Sequence, residues 1–299
     1  MEYYISGTPK YDEKGNIINA IIFCHSFNQT YYAVNDFHEL IKPGGVFDKN
    51  EYLIISTTTL GFPDSSSPST SGLKYNFPKY SILDRVNFKR QFLKEKFGIE
   101  KVHGICGSGI GGYEIYEWAC EYPDEMDFII IGNSAFKTNG YRYTISRVAD
   151  SIIDSSEGYY DDTYNQSLSR IMVSLNKIVY SNVFSKRIFQ ELSNEEIDVL
   201  MDDFVDEGLF IDIYDFKFLN DAVLGYDVED KLGNIKAKSL IIAQSEDIYY
   251  SAEYDTLPVE NKINNSKVEV LNKLKSIYDI KDYSEISDII SEFMEKFKK

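Results

Sequence analysis

Histidine is scarce in this chain. Three of 299 residues are histidine, His25, His38 and His103, and none follows position 103. Chemistry that needs an imidazole base must draw it from the first third of the molecule. Cysteine is equally rare. Cys24, Cys106 and Cys120 form an odd set without metal-ligand spacing, which reads as reduced packing residues and excludes a disulfide framework. No cofactor or metal motif is read. No apolar run reaches the roughly 20 residues of a membrane span. The start, Met1-Glu2-Tyr3-Tyr4, has no basic region, so a cytoplasmic chain without a signal peptide is expected. Positive charge is in deficit as well. A net charge of -17 argues against nucleic acid and anionic membranes as partners. The 24 tyrosines accompany abundant Asn, Ile and Lys, a compositional bias, and receive no binding role by themselves.

A chain of 299 residues can bury a sizeable core and fits one large α/β domain, with or without an insertion. Asn19 to Cys24, Tyr52 to Ser56, Val102 to Cys106 and Phe128 to Ile131 are short apolar runs. They fit strands buried on both faces. Ile82 to Phe97 reads as a helix with Ile82, Val86, Phe88, Phe92, Leu93 and Phe97 largely on one face, stopped by Gly98. Gly61 to Gly72 reads as a surface loop. Tyr113 to Glu121 is a further helix, ended by Pro123. This alternation predicts a mostly parallel, doubly wound sheet. From Tyr141 to about Gly225 only helical periodicity is present, as in Leu168, Ile171, Met172, Leu175, Ile178 and Val179. Strands resume at Ser239 to Ala243 and Val268 to Leu271, and a last helix runs from Glu285 to Phe297. The expected division is a core of residues 1–140 and 228–299 with a helical lid, residues 141–227, over the carboxyl edge of the sheet.

The chemistry centres on Val102 to Gly112, a strand that ends in a Gly-rich turn and enters a helix. That is the setting of a nucleophile elbow, G-x-S-x-G. On this pattern Gly107 and Gly111 are the flanking glycines, and the nucleophile position is Gly109.

The order of these segments resembles the homoserine O-acetyltransferase branch of the α/β-hydrolase fold, nearly end to end. Cys24-His25-Ser26-Phe27-Asn28-Gln29 is similar to that family's C-H-A-L-T-G turn. Phe77-Pro78 with Ile82-Leu83-Asp84-Arg85-Val86 is similar to F-P-x-x-T-I-x-D-M-V, and Gly98 through Trp118-Ala119 to Asp124 matches the elbow segment. The resemblance implies an α/β-hydrolase fold and acyl transfer from acetyl-CoA to the homoserine hydroxyl. It places the triad acid on Asp247, the nucleophile on Gly109 and the base on Ile280. The acid is kept, and the nucleophile and base are lost.

Other residues are candidates to restore the reaction, which needs a nucleophile, a base in reach and a carboxylate that orients it. Ser108 is the substitute nucleophile to consider. It precedes the apex and is expected to point away from the cleft, and a slip in register would place bulky Cys106 and Ile110 where glycines are wanted. Cys106 is expected to be buried and inert. His103, six residues before the apex, lies on the order of 20 Å from the cleft at strand spacing. His25 ends its strand on the elbow's edge, where it braces the loop or lines the cleft. The backbone amides of Phe27 and Ile110 are the oxyanion-hole positions, and they do not depend on side-chain identity. Three readings stay open. One is a pseudoenzyme with a capped pocket for a small carboxylate or acyl ligand, or for a protein partner. Another is an esterase or acyltransferase using Ser108 with a non-standard base such as His25. The third is a structural or regulatory subunit, homodimeric through the helical lid.

Overall fold

The computed structural model describes residues 1–27, 29–156, 158–161, 166–271 and 284–295. The elements before the long helical segment are β1 (Tyr3–Gly7), β2 (Ala20–Cys24), α1 (His38–Ile41), β3 (Leu53–Thr57), α2 (Ile82–Phe97), β4 (Val102–Ser108), α3 (Ile110–Glu121) and β5 (Met126–Gly132). Then come α4 (Gly140–Asp154), α5 (Gln166–Tyr180), α6 (Lys186–Glu191), α7 (Asn194–Gly208) and α8 (Ile213–Leu224), with no strand between them among the described residues. β6 (Lys238–Gln244), β7 (Ser266–Leu271) and α9 (Ser284–Glu295) complete the order.

Among the described residues the sheet has seven strands in the order β1-β3-β2-β4-β5-β6-β7. All neighbours are parallel except β1, which runs antiparallel to β3. The apolar runs do not announce β1. It is an edge strand that is only partly buried, so it carries no continuous apolar stretch. The central strands read as unbroken apolar runs because both faces are covered. Ile22, Ile55, Ile105, Ile129 and Ile241 point into one core with α2 and α3, while Ile21, Phe23, Ile54, Phe128, Ile130 and Leu240 point into the other with α9.

Helix α2 keeps the predicted bounds. Ser81 and Asp84 form a capping box at its start, and Gly98 ends it with φ 69°. Its buried face differs from the apolar pattern. Arg85 and Lys89 are buried there beside Ile82, Val86 and Leu93. Helix α3 begins at Ile110, three residues before the expected start, because the glycines of the turn enter the helix.

The chain runs from β2 outward to β3 and returns on the other side of β2 as β4. In open α/β sheets the crevice at such a switch point, beyond the carboxyl ends of the strands, is where ligands bind.

Candidate functional site

The turn after β4 has the backbone of an elbow. Gly109 caps α3 with φ 55° and ψ −125°, a region that costs a side-chain-bearing residue about 1–3 kcal/mol. Its N–H donates to the Asn133 carbonyl at 3.0 Å, and its carbonyl accepts from Ser134 Oγ at 2.7 Å. The flanking glycines let β2 come close. A Cβ on Gly107 would lie 2.6 Å from the Cys24 carbonyl oxygen, and one on Gly111 would lie 2.4 Å from the same atom. Ser108 is the last residue of β4 and pairs with Gly132. It nevertheless borders the cavity described below, where the turn argument alone directs it away.

The position of the absent side chain is not empty. A Cβ on Gly109 would meet Ser26 Oγ at 2.3 Å and Tyr250 Oη at 3.6 Å. Ser26 follows β2, whose Cys24 lies in register with Gly107. Its N–H donates to Gln29 Oε1 at 3.0 Å. A hydroxyl from a neighbouring loop thus stands in the volume that an elbow side chain would enter. Sequence reasoning missed Ser26. The signal was a serine where the similar turn C-H-A-L-T-G has alanine.

Asp247 sits in the loop after β6, with Oδ1 accepting from the Tyr249 and Tyr250 N–H groups at 2.8 Å each. Burial, with Asp255 adding to it, pushes its carboxyl up to about 6 against the pull of those donors and Arg142. His25 lies behind the turn rather than in the cavity wall. Its Nε2 accepts the Thr59 N–H at 3.3 Å, which assigns the ring proton to Nδ1, 2.8 Å from the Ser26 carbonyl oxygen. Burial lowers its pKa to about 3, so the ring is neutral and both nitrogens are engaged. Ile280 lies outside the described residues. His103 pairs with Asp127 at 2.9 Å on β4 and β5, well before the elbow. Cys106 is buried, and burial raises its thiol pKa well above the usual range.

A cavity of about 490 Å³ joins these parts. Ser26, Phe27, Gly109 and Ile110 border it on the sheet side, and Asp247, Tyr249 and Tyr250 on the β6 side. Apolar residues of α4, α5 and α8, including Ile145, Leu175 and Phe216, cover it. The N–H of Ile110 is the first of α3 and has no partner within the helix, so it remains available beside Phe27.

Two buried ionic groups hold this arrangement, and neither is visible as a motif. Beneath the elbow, Glu114 of α3 accepts from Arg85 Nε at 2.8 Å and Lys89 Nζ at 2.6 Å, all fully buried. Burial disfavours the Glu114 charge, but the two cations outweigh it and hold its carboxyl down at about 2. Lys89 also reaches Cys24 Sγ at 3.3 Å, which ties α2 to the end of β2. Arg142 of α4 pairs with buried Asp255 and donates to the Tyr249 carbonyl at 3.0 Å. That contact fastens the helices over the cavity to the loop that carries Asp247.

No protein-family model matches the chain. A probable acyltransferase of Methanothermobacter thermautotrophicus is 33% identical over 294 residues, covering 98% of this chain and 91% of that protein. The homoserine O-acetyltransferase of Leptospira biflexa is 31% identical over 165 residues, but this match spans 50% of the chain and 43% of that enzyme. Among solved structures, homoserine O-acetyltransferase from Bacillus anthracis superposes with a TM-score of 0.83 at 19% identity, over 98% of this chain and 91% of that one. An acetylester hydrolase from Corynebacterium glutamicum gives 0.84 at 20% identity, over 98% and 89% of the two chains. The fold is that of the α/β-hydrolases. Within it, the chain belongs to the homoserine O-acetyltransferase-like acyltransferase family.

Proposed function

We propose that this member has left the family's acyl-enzyme route and uses its capped pocket to bind a small ligand. The observation that carries this reading is the elbow apex. Gly109 has no side chain to attack with, and the Ser26 hydroxyl stands where one would begin. An acyl-enzyme cannot form without a nucleophile, and among the described residues the cavity wall holds no histidine. The amides of Ile110 and Phe27 remain suited to a carbonyl or hydroxyl oxygen. A ligand with an uncharged acyl group suits the wall better than a carboxylate, because Asp247 and Glu207 are the charged residues that border it among those described. The full-length likeness to a probable acyltransferase supports descent from acyl-transfer chemistry. The test is turnover of activated acetyl esters, and of homoserine with acetyl-CoA, at high protein concentration. The expected result is none above buffer. Turnover abolished by Ser26→Ala or Ser108→Ala would overturn the reading.

The exposed apolar surface of the helices over the cavity favours a second reading, pairing through the lid. Tyr141, Tyr143 and Val148 of α4 and Val199 of α7 all face outward. Light scattering over a concentration series separates a dimer from a monomer.

A further inference from the structure

Among the described residues, the formal charges that border the cavity are both negative, and they come from separate elements: Asp247 in the loop after β6 and Glu207 on α7. Asp247 is the deeper of the two. Its Oδ1 is held by two backbone donors, and Oδ2 receives no hydrogen bond from the described residues. The cation next to it is already engaged. Arg142 pairs with Asp255 and donates to the carbonyls of Tyr249 at 3.0 Å and Lys137 at 2.9 Å and to Asn139 Oδ1 at 3.1 Å. Tyr249 and Tyr250 line the same wall as Asp247, their rings edge to face with centroids 4.9 Å apart, and the Arg142 guanidinium stands 5.6 Å from the Tyr250 ring centroid. Beyond them the wall is apolar, formed by residues such as Leu175, Val179 and Phe216. A carboxylate oxygen without a hydrogen-bond partner among the described residues, beside two tyrosines at one end of an apolar cavity, can receive an organic cation. Ring faces attract ammonium groups, and the carboxylate supplies the counter-charge. The excess of acidic residues over the whole chain also draws cations toward it.

We propose that the pocket recognises a small amine: a protonated amino group on Asp247 Oδ2 beside Tyr249 and Tyr250, with the apolar body under α5 and α8. An uncharged oxygen of the same ligand would then meet the Ile110 and Phe27 amides. The inference rests on the binding reading of the pocket and names its ligand class.

Three probes of matched length test it on the full chain by isothermal titration at neutral pH: hexylamine, hexanol and hexanoate. Hexylamine is expected to bind at least tenfold more tightly than hexanol, and hexanoate more weakly than either. Asp247→Asn keeps an oxygen for the two backbone donors, so the loop is retained, which far-UV circular dichroism and the unfolding midpoint check. It is expected to weaken hexylamine at least tenfold and to leave hexanol within twofold. Glu207→Gln is expected to change hexylamine less than threefold. Equal or tighter binding of hexanoate, no binding of any probe, or unchanged hexylamine affinity in folded Asp247→Asn would each overturn the assignment. So would a loss that follows Glu207→Gln instead. The two proposals fail separately. Ester turnover with intact hexylamine binding removes the non-catalytic reading alone, and absent turnover with tighter hexanoate binding removes the amine alone.

Discussion

Replacing Gly109 with serine places at the elbow apex the residue of the G-x-S-x-G pattern, and the structure says what it would cost. The backbone at φ 55° and ψ −125° stays as it is, because Asn133 and Ser134 pin both ends of the peptide and α3 begins at the next residue. Holding a serine there costs about 1–3 kcal/mol of backbone strain. The new Cβ would also start 2.3 Å from Ser26 Oγ. That hydroxyl forms no hydrogen bond among the described residues and can rotate to another staggered position. Its displacement therefore adds little, about 0.5–1 kcal/mol. Gly109→Ser is expected to lose about 1.5–4 kcal/mol in urea unfolding, read as a lower midpoint at unchanged slope. Ser26→Ala alone is expected to stay within about 0.5 kcal/mol of the parent. The double variant should recover the steric part, so the cycle reports about 0.5–1 kcal/mol of coupling. Gly233, with open space at its Cβ position and no positive φ, is the control, and Gly233→Ala is expected to be near neutral. If Gly109→Ser were as stable as Gly233→Ala, Gly109 would not hold the apex conformation and the assignment of the lost nucleophile would fail.

Other expectations concern the buried charges. Glu114→Gln leaves Arg85 and Lys89 as two buried cations without a counter-charge, and a loss of about 3–5 kcal/mol is expected in the same unfolding assay. A change under 1 kcal/mol would show that the three side chains are solvated or rearranged. Asp215 on α8 is fully buried and accepts from Ser69 N at 2.9 Å and Ser69 Oγ at 2.5 Å, which fastens the loop Gly61 to Gly72 to the helices. Burial raises its pKa to about 6, above the unfolded value, so the folded protein binds the proton more tightly. Stability from this group therefore rises as pH falls from about 6 to about 4, and the ionised form costs about 2–3 kcal/mol at neutral pH. Asp215→Asn is expected to flatten that slope. His25 contributes the opposite sign, since its pKa is depressed to about 3 by burial and stability is lost as pH falls below its unfolded value. The informative quantity is therefore parent minus variant across the window. A slope unchanged by Asp215→Asn would show that the carboxyl titrates elsewhere.

Much of the frame was legible because it rests on local pattern. The apolar runs from Ala20 to Cys24 and from Phe128 to Ile131 show double-sided burial directly. Gly98 marks the end of α2, and the spacing of Gly107, Gly109 and Gly111 marks a turn packed against a strand. What escaped depends on residues that meet only in three dimensions. Arg85 and Lys89 look like the solvated side of a helix until Glu114, from another helix, is placed beside them. Arg142 and Asp255 are 113 positions apart. Ser26 is an ordinary loop serine until the register of β2 with β4 sets its hydroxyl against the apex. β1 was invisible because an edge strand needs no apolar run.

If the pocket is non-catalytic, no hydroxyl in it acts as an acyl-accepting nucleophile. The direct measurement is the intact mass of the full chain after prolonged exposure to a fluorophosphonate probe, with peptide mapping of any adduct. An unmodified mass is expected under conditions that label an active serine esterase to completion. One equivalent of probe on Ser26 or Ser108 would contradict it.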